Sequence, residues 1–231
     1  MLGGMDSVLP PENVVPAQKA GLSLTLSAVA ARVLGALIEK EFATPDSYPL
    51  TLNALVNACN QRSNRDPVMA LAEADVSAAL DELRVLKLAV LFVGADSRVP
   101  KYKHKLDDVF PMEDVARAAM CELLVRGPQT AASLRGNSER LHRMPPLPEF
   151  EALLETLGGR ASGALVKKLP RQLGKKEARW THLLSGEVDV QAEPEAVFRP
   201  APSDLERRVT ELEATVQKLR EELDALRSAW M

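Results

Sequence analysis

The feature that most restricts how this chain can fold is an internal echo. Pro49-Leu50-Thr51, with Leu55 one turn on, is matched by Pro128-Gln129-Thr130, with Leu134 one turn on, about 79 residues later. In each case a threonine after a proline is placed to cap a short helix. The residues around each start also run in a similar order, so the chain reads as two copies of one small module followed by a tail. An apolar share of 46% is enough to build cores in modules of that size, and an aromatic share of 4% suits small helical modules better than a β-sandwich.

In the first copy, Ser27 precedes a helix whose residues Val29, Val33, Leu34, Leu37, Ile38 and Phe42 keep a 3.6-residue period. One face of it is expected to be core, and Pro45 should stop it near Ala43. Thr51 then opens a short helix that ends near Asn60, and a third helix is expected over about 72–87. Leu88 to Val93 reads as a strand, 94–100 as a turn, and Lys101-Tyr-Lys-His-Lys105 as an alternating strand with Tyr102 and His104 on one face.

The second copy begins with a helix over about 113–126, ended by Gly127 and Pro128. A short helix follows Thr130, a third spans about 148–157, and strands are expected over 164–169 and 178–184. Three helices and then a hairpin is the order of a winged helix-turn-helix. The expected class is mainly α with small β-hairpins: two tandem winged-helix modules plus a C-terminal coiled-coil helix. Their bounds are a lead-in at 1–22, modules at 23–107 and 108–186, an acidic Pro-rich linker at 187–202, and a coiled coil at 203–231.

Particular segments carry a family resemblance. Ile38-Glu-Lys-Glu41, Thr44-Pro-Asp46, Tyr48-Pro-Leu-Thr-Leu-Asn-Ala-Leu55, Cys59-Asn-Gln-Arg-Ser-Asn-Arg-Asp-Pro-Val-Met69, Gly127-Pro-Gln-Thr130 and the stretch from Leu169 to Trp180 resemble the YceH-like family of uncharacterised bacterial proteins. The resemblance spans roughly 26–186. It implies a tandem winged-helix fold and brings no catalytic residue, cofactor or activity with it.

In the tail, Leu205, Val209, Leu212, Val216, Leu219, Leu223, Leu226 and Trp230 alternate spacings of four and three, the seam of a coiled coil. Leucine at each d position and valine at two a positions favour a homodimer. Acids outnumber bases there, so the formal net charge of -3 is a property of the tail more than of the body.

Enzyme chemistry finds little support. His104, His142 and His182 lie far apart, and no Walker, GxSxG, HExxH or GxGxxG pattern is present. We expect no enzyme, no catalytic residue, no metal and no cofactor. Cys59 and Cys121, each among apolar neighbours, read as buried thiols of a reducing cytoplasm. With no basic leader and no long apolar run, neither secretion nor a membrane partner is expected.

Basic residues cluster on the two expected wings: Arg98, Lys101, Lys103 and Lys105 on the first, and Lys167, Lys168, Arg171, Lys175, Lys176 and Arg179 on the second. Such clustering suits phosphate contact, and strand edges kept soluble by lysine are the alternative. In the polar loop 60–66, Arg62 and Arg65 could contact nucleic acid or a partner, or the loop could bond its own backbone. The expected third helices carry Glu73, Asp75, Asp81 and Glu82, and Glu149, Glu151 and Glu155, which disfavours entry into the major groove. The expectation is a DNA-associated regulator that binds duplex DNA weakly through its wings, with a protein–protein scaffold as the alternative.

Overall fold

The computed structural model describes residues 25–92, 99–172, 176–186, 212–213 and 215–220. The chain divides into a large unit, 1–188, and a small one, 189–231. It is mainly helical, with small antiparallel sheets.

Ser27 has extended backbone, and its Oγ accepts the Ala30 N–H at 3.1 Å, which starts helix α1 (Ala28–Ala43). A single 3-10 turn, Pro45–Ser47, follows. Strand β1 (Leu50–Thr51) runs directly into α2 (Leu52–Cys59), where Thr51 Oγ1 accepts the Ala54 N–H at 3.3 Å. Helix α3 (Glu73–Val85) has no capping side chain at Ala72. Instead Asp75 reaches back to accept the Ala72 N–H at 2.8 Å, and with Glu73 it places negative charge where the helix dipole favours it.

Strands β2 (Ala89–Phe92) and β3 (Lys101–His104) form a hairpin with Ala89 opposite His104 and Phe92 opposite Lys101. Strand β1 joins the other side of β3, giving the order β1-β3-β2.

After a short helix α4 (Leu106–Val109), the pattern repeats: α5 (Asp114–Arg126), β4 (Gln129–Thr130), α6 (Ala131–Ser138), α7 (Leu147–Gly158), β5 (Val166–Lys168) and β6 (Arg179–His182). Gly127 closes α5 at a positive φ of 69°, a conformation that suits glycine. The second sheet has the order β4-β6-β5, matching the first.

Two local details differ from expectation. The strands β1 and β4 are two residues each, too short to leave a period-two signal. Lys105 is not the end of a strand but the N-cap of α4. Asp107 and Asp108 lie in the first turn of α4, where the helix dipole favours negative charge.

Helix α1 departs further. Every residue from Ala30 to Glu39 is buried, so its middle is core on all sides rather than on one face. Helix α5 provides the missing wall, being buried at Ala116 and from Ala118 through Val125. The two helices meet at Gly35, where a Cβ would lie 2.6 Å from Val125 Cγ1 and 2.9 Å from Leu124 Cβ. Cys121 Sγ donates to the Gly35 carbonyl there at 3.3 Å. One apolar cluster therefore runs through both repeats, from Leu26 to Leu184.

In the small unit, residues 212–213 and 215–220 are helical, and Leu212, Val216 and Leu219 are 60%, 48% and 57% exposed. The other seam positions, Leu205, Val209, Leu223, Leu226 and Trp230, lie outside the described residues, as do the lead-in 1–22 and the linker 187–202.

Candidate functional site

The polar loop after α2 is held by its own side chains. Asn60 spans it, its Nδ2 donating to the Leu71 carbonyl at 2.9 Å while its Oδ1 accepts the Leu71 N–H at 2.8 Å. Asn64 takes a left-handed φ of 58°, which asparagine tolerates, and its Oδ1 accepts from Arg126 of α5.

Arg65 is buried. Its guanidinium grips Glu39 of α1 with both nitrogens, Nη1 donating to Oε1 at 3.1 Å and Nη2 to Oε2. Its Nε and Nη2 also donate to the Ala58 carbonyl at 3.2 and 2.7 Å. This corrects the expectation that Arg65 contacts nucleic acid or a partner, because its donors are spent inside the fold. Arg62 is exposed, as that expectation requires. Asp66 ties the loop to the second repeat through its N–H, which donates to the Val125 carbonyl at 3.0 Å.

Glu39 is shared across the repeats. Arg140, just beyond α6, donates from Nη2 to Glu39 Oε1 and to Glu122 Oε1, each at 2.6 Å, and from Nε to Glu122 Oε1 at 2.9 Å. Arg126 Nε lies 3.0 Å from Glu122 Oε2, an ion pair without the alignment of a hydrogen bond. Burial opposes the charge on Glu39, but Arg65 and Arg140 outweigh it and hold that carboxyl below the usual range. For Glu122 burial wins over Arg140 and Arg126, and its pKa is pushed up.

A second polar knot lies inside β3. His104 Nε2 is 2.7 Å from Glu41 Oε2, its Nδ1 accepts the Leu106 N–H at 3.3 Å, and its own backbone N–H donates to Tyr48 Oη at 2.7 Å. Arg117 of α5 pairs with Asp107 and Asp114 and stands 4.8 Å over the Phe42 ring. These groups serve packing. Cys59 and Cys121 are buried thiols whose pKa values burial raises, that of Cys59 to about 12, so both are protonated near neutral pH. Among the described residues no group of three or more His, Cys, Asp or Glu could hold a metal ion. Among them, too, no helix is long and apolar enough to cross a membrane.

The wing bases are placed as follows. On β3, Lys101 and Lys103 are half-buried and alternate with the inward-facing His104, while Lys105 pairs with Asp108 at 2.7 Å. On the second hairpin Lys168, Arg171 and Lys176 are exposed, and Lys167 and Arg179 are half-buried. Lys168 reaches Glu155 at 3.3 Å and lies 5.3 Å over the Trp180 ring. Arg98 and Lys175 lie outside the described residues. On the third helices, Glu73, Asp75, Asp81, Glu149, Glu151 and Glu155 are exposed and Glu82 is half-buried, bonded to Ser27 through both of its oxygens.

Sequence reasoning missed Glu39, Glu122, Arg126 and Arg140. A charge set within an apolar run, as Glu122 is between Cys121 and Leu123, was the available signal.

The repeated helix-and-sheet order, joined by a buried ion network, defines a mainly helical protein of two fused repeats. A family described as "Protein of unknown function, DUF480" matches residues 26–175. The UPF0502 protein of Vibrio parahaemolyticus is 46% identical over 90% of this chain and 97% of its own length. That of Opitutus terrae is 47% identical over 93% and 91%, and that of Citrifermentans bemidjiense 50% identical over 73% and 78%. The chain belongs to this DUF480 (UPF0502) family of uncharacterised bacterial proteins, in agreement with the resemblance read from its motifs.

Proposed function

We propose that the chain is a tandem winged-helix protein that acts without catalysis, as a DNA-associated regulator, and binds duplex DNA weakly through its two hairpin wings. The observation that carries this reading is the paired arrangement of β2-β3 and β5-β6, each presenting lysine or arginine side chains beside a three-helix repeat. The exposed acids on α3 and α7 oppose deep entry into the major groove, so contact is with phosphates and has little base preference. Residues 203–231 dimerise the protein and double the contact. The exposed stripe of Leu212, Val216 and Leu219 supports this, because apolar residues at such spacing on a helix seek a partner.

A second reading is favoured by a different observation. Val85, Leu91, Phe92 and Val99 are exposed apolar residues at the end of α3 and on the first hairpin, next to the acids of α3. Such a surface suits a protein partner.

Fluorescence anisotropy of the full chain on a random duplex separates the two. If about four to six phosphates are neutralised per protomer, log affinity falls with log salt at a slope of roughly -4 to -5, and unrelated duplexes bind alike. Lys101→Glu with Lys103→Glu is expected to abolish binding while the fold persists. Absence of binding at low salt, or binding indifferent to that double change, transfers the case to the protein-scaffold reading.

A further inference from the structure

Phe92, the last residue of β2, is 43% exposed, and among the described Phe, Tyr and Trp residues no other is exposed. The register of the hairpin decides what surrounds it. Phe92 stands opposite Lys101 and Val90 opposite Lys103, so these side chains share one face of the sheet. Ala89 and His104, opposite each other and buried, belong to the other face. The first wing therefore shows solvent an aromatic ring flanked by lysine ammonium groups. Among the described residues neither ammonium makes a hydrogen bond or ion pair, and no cation or second ring is stacked on Phe92. Lys103 does act on Glu41, behind His104 and Arg117.

The second wing is built otherwise. Its aromatic residue, Trp180, is buried, and Lys168 already lies 5.3 Å over the ring. Leu169, which stands opposite Arg179 as Phe92 stands opposite Lys101, is only 6% exposed. The same hairpin is thus built with this position aliphatic and covered, so the open ring of the first wing is not a requirement of the fold.

An intact duplex has little use for such a ring. Its base faces are covered by their neighbours, and prying one step apart costs about as much as a single ring returns by stacking. A nucleotide that is already unpaired incurs no such cost, and every base has a π-face to offer. We propose that the first wing takes an unpaired nucleotide, its base stacked on Phe92 and its flanking phosphates against Lys101 and Lys103. The ligand class is DNA with a short single-stranded stretch beside a duplex, of little sequence preference because stacking is tolerant of the base. The site rests on the contact between wings and DNA proposed above.

The test is anisotropy of the full chain on a labelled duplex of about 20 base pairs, blunt or carrying about four unpaired nucleotides at its 3′ or 5′ end. At least one tailed duplex is expected to bind about tenfold tighter than the blunt one. Phe92→Ala and Phe92→Leu are expected to lose that preference while keeping the blunt affinity and the melting temperature, and Phe92→Trp to retain it. The leucine variant separates stacking from plain apolar contact. Equal binding of blunt and tailed duplexes, or a preference that survives in Phe92→Leu, overturns the proposal and leaves the duplex reading standing. Binding of tailed DNA alone, lost in Phe92→Leu, supports the proposal and removes the duplex reading, and binding of neither overturns both. Displacement of the tailed duplex by a peptide of alternating glutamate and phenylalanine, as readily as by unlabelled DNA, assigns the surface to a protein partner and also overturns the proposal.

Discussion

Arg65 and Arg62 stand three positions apart in one polar loop and have opposite standing in the fold. Removing Arg65 leaves Glu39 Oε2 and the Ala58 carbonyl without a donor away from water, with Arg140 still reaching Glu39 Oε1, and breaking a buried pair by deleting one partner costs about 3–5 kcal/mol. Arg65→Ala is therefore expected to lower the melting temperature sharply or prevent folding. Arg62→Ala should change stability by no more than about 0.5 kcal/mol. Thermal denaturation of the two variants side by side checks this, and equal melting temperatures would contradict it.

The glutamates give a pH signature. Glu39 is held below its usual value of 4.5 in the folded chain, so the stability it contributes is fully present above that value and is lost as pH falls through the lower, folded one. Glu122 is raised, so its ionised form costs stability as pH climbs from 4.5 through its folded value. Glu39→Gln is thus expected to destabilise more at pH 7 than Glu122→Gln and to show a shallower loss on acidification. Urea midpoints at neutral and acid pH measure both.

At the scale of elements, Gly35 decides how α1 and α5 meet. Alanine in mid-helix normally gains up to about 1 kcal/mol over glycine. Here the added Cβ would meet Leu124 Cβ at 2.9 Å, an atom fixed to the α5 backbone, so the helices must separate. Gly35→Ala is expected to be destabilising by about 1–3 kcal/mol, the ordinary cost of overpacking, and calorimetry reads the sign directly.

The elements also show what a sequence can disclose. Ser27, Thr51 and Thr130 cap helices through N–H groups three residues away, and Gly127 ends a helix by its own conformation, so these starts and stops were legible. The partners of Glu39 lie 26 and 101 residues away in sequence. Nothing local distinguishes such a charge from a solvated one. The loop's polarity was visible for the same reason that its direction was not: Arg62 and Arg65 differ only in what surrounds them. The wing lysines were found by their clustering, yet Lys105 and Lys168 turn out to have acids of their own in reach.

At the scale of the whole molecule, the exposed seam on residues 212–219 predicts a dimer. Sedimentation of the full chain at roughly 20 µM should return twice the monomer mass, and a chain ending at Glu187 should return the monomer. A monomeric full chain would leave the seam without its expected occupant.

The joint between α1 and α5 sets a timetable as well as a shape. The Gly35 carbonyl and the Cys121 thiol that touches it are 86 positions apart. A ribosome adding about 5–20 residues per second needs roughly 4 to 17 s to cover that distance. For that interval the newborn first repeat has its central helix but not the wall that covers it. Its apolar flank is then open to chaperones, to neighbouring nascent chains or to proteases, and the repeat finishes its own interior only when its twin emerges.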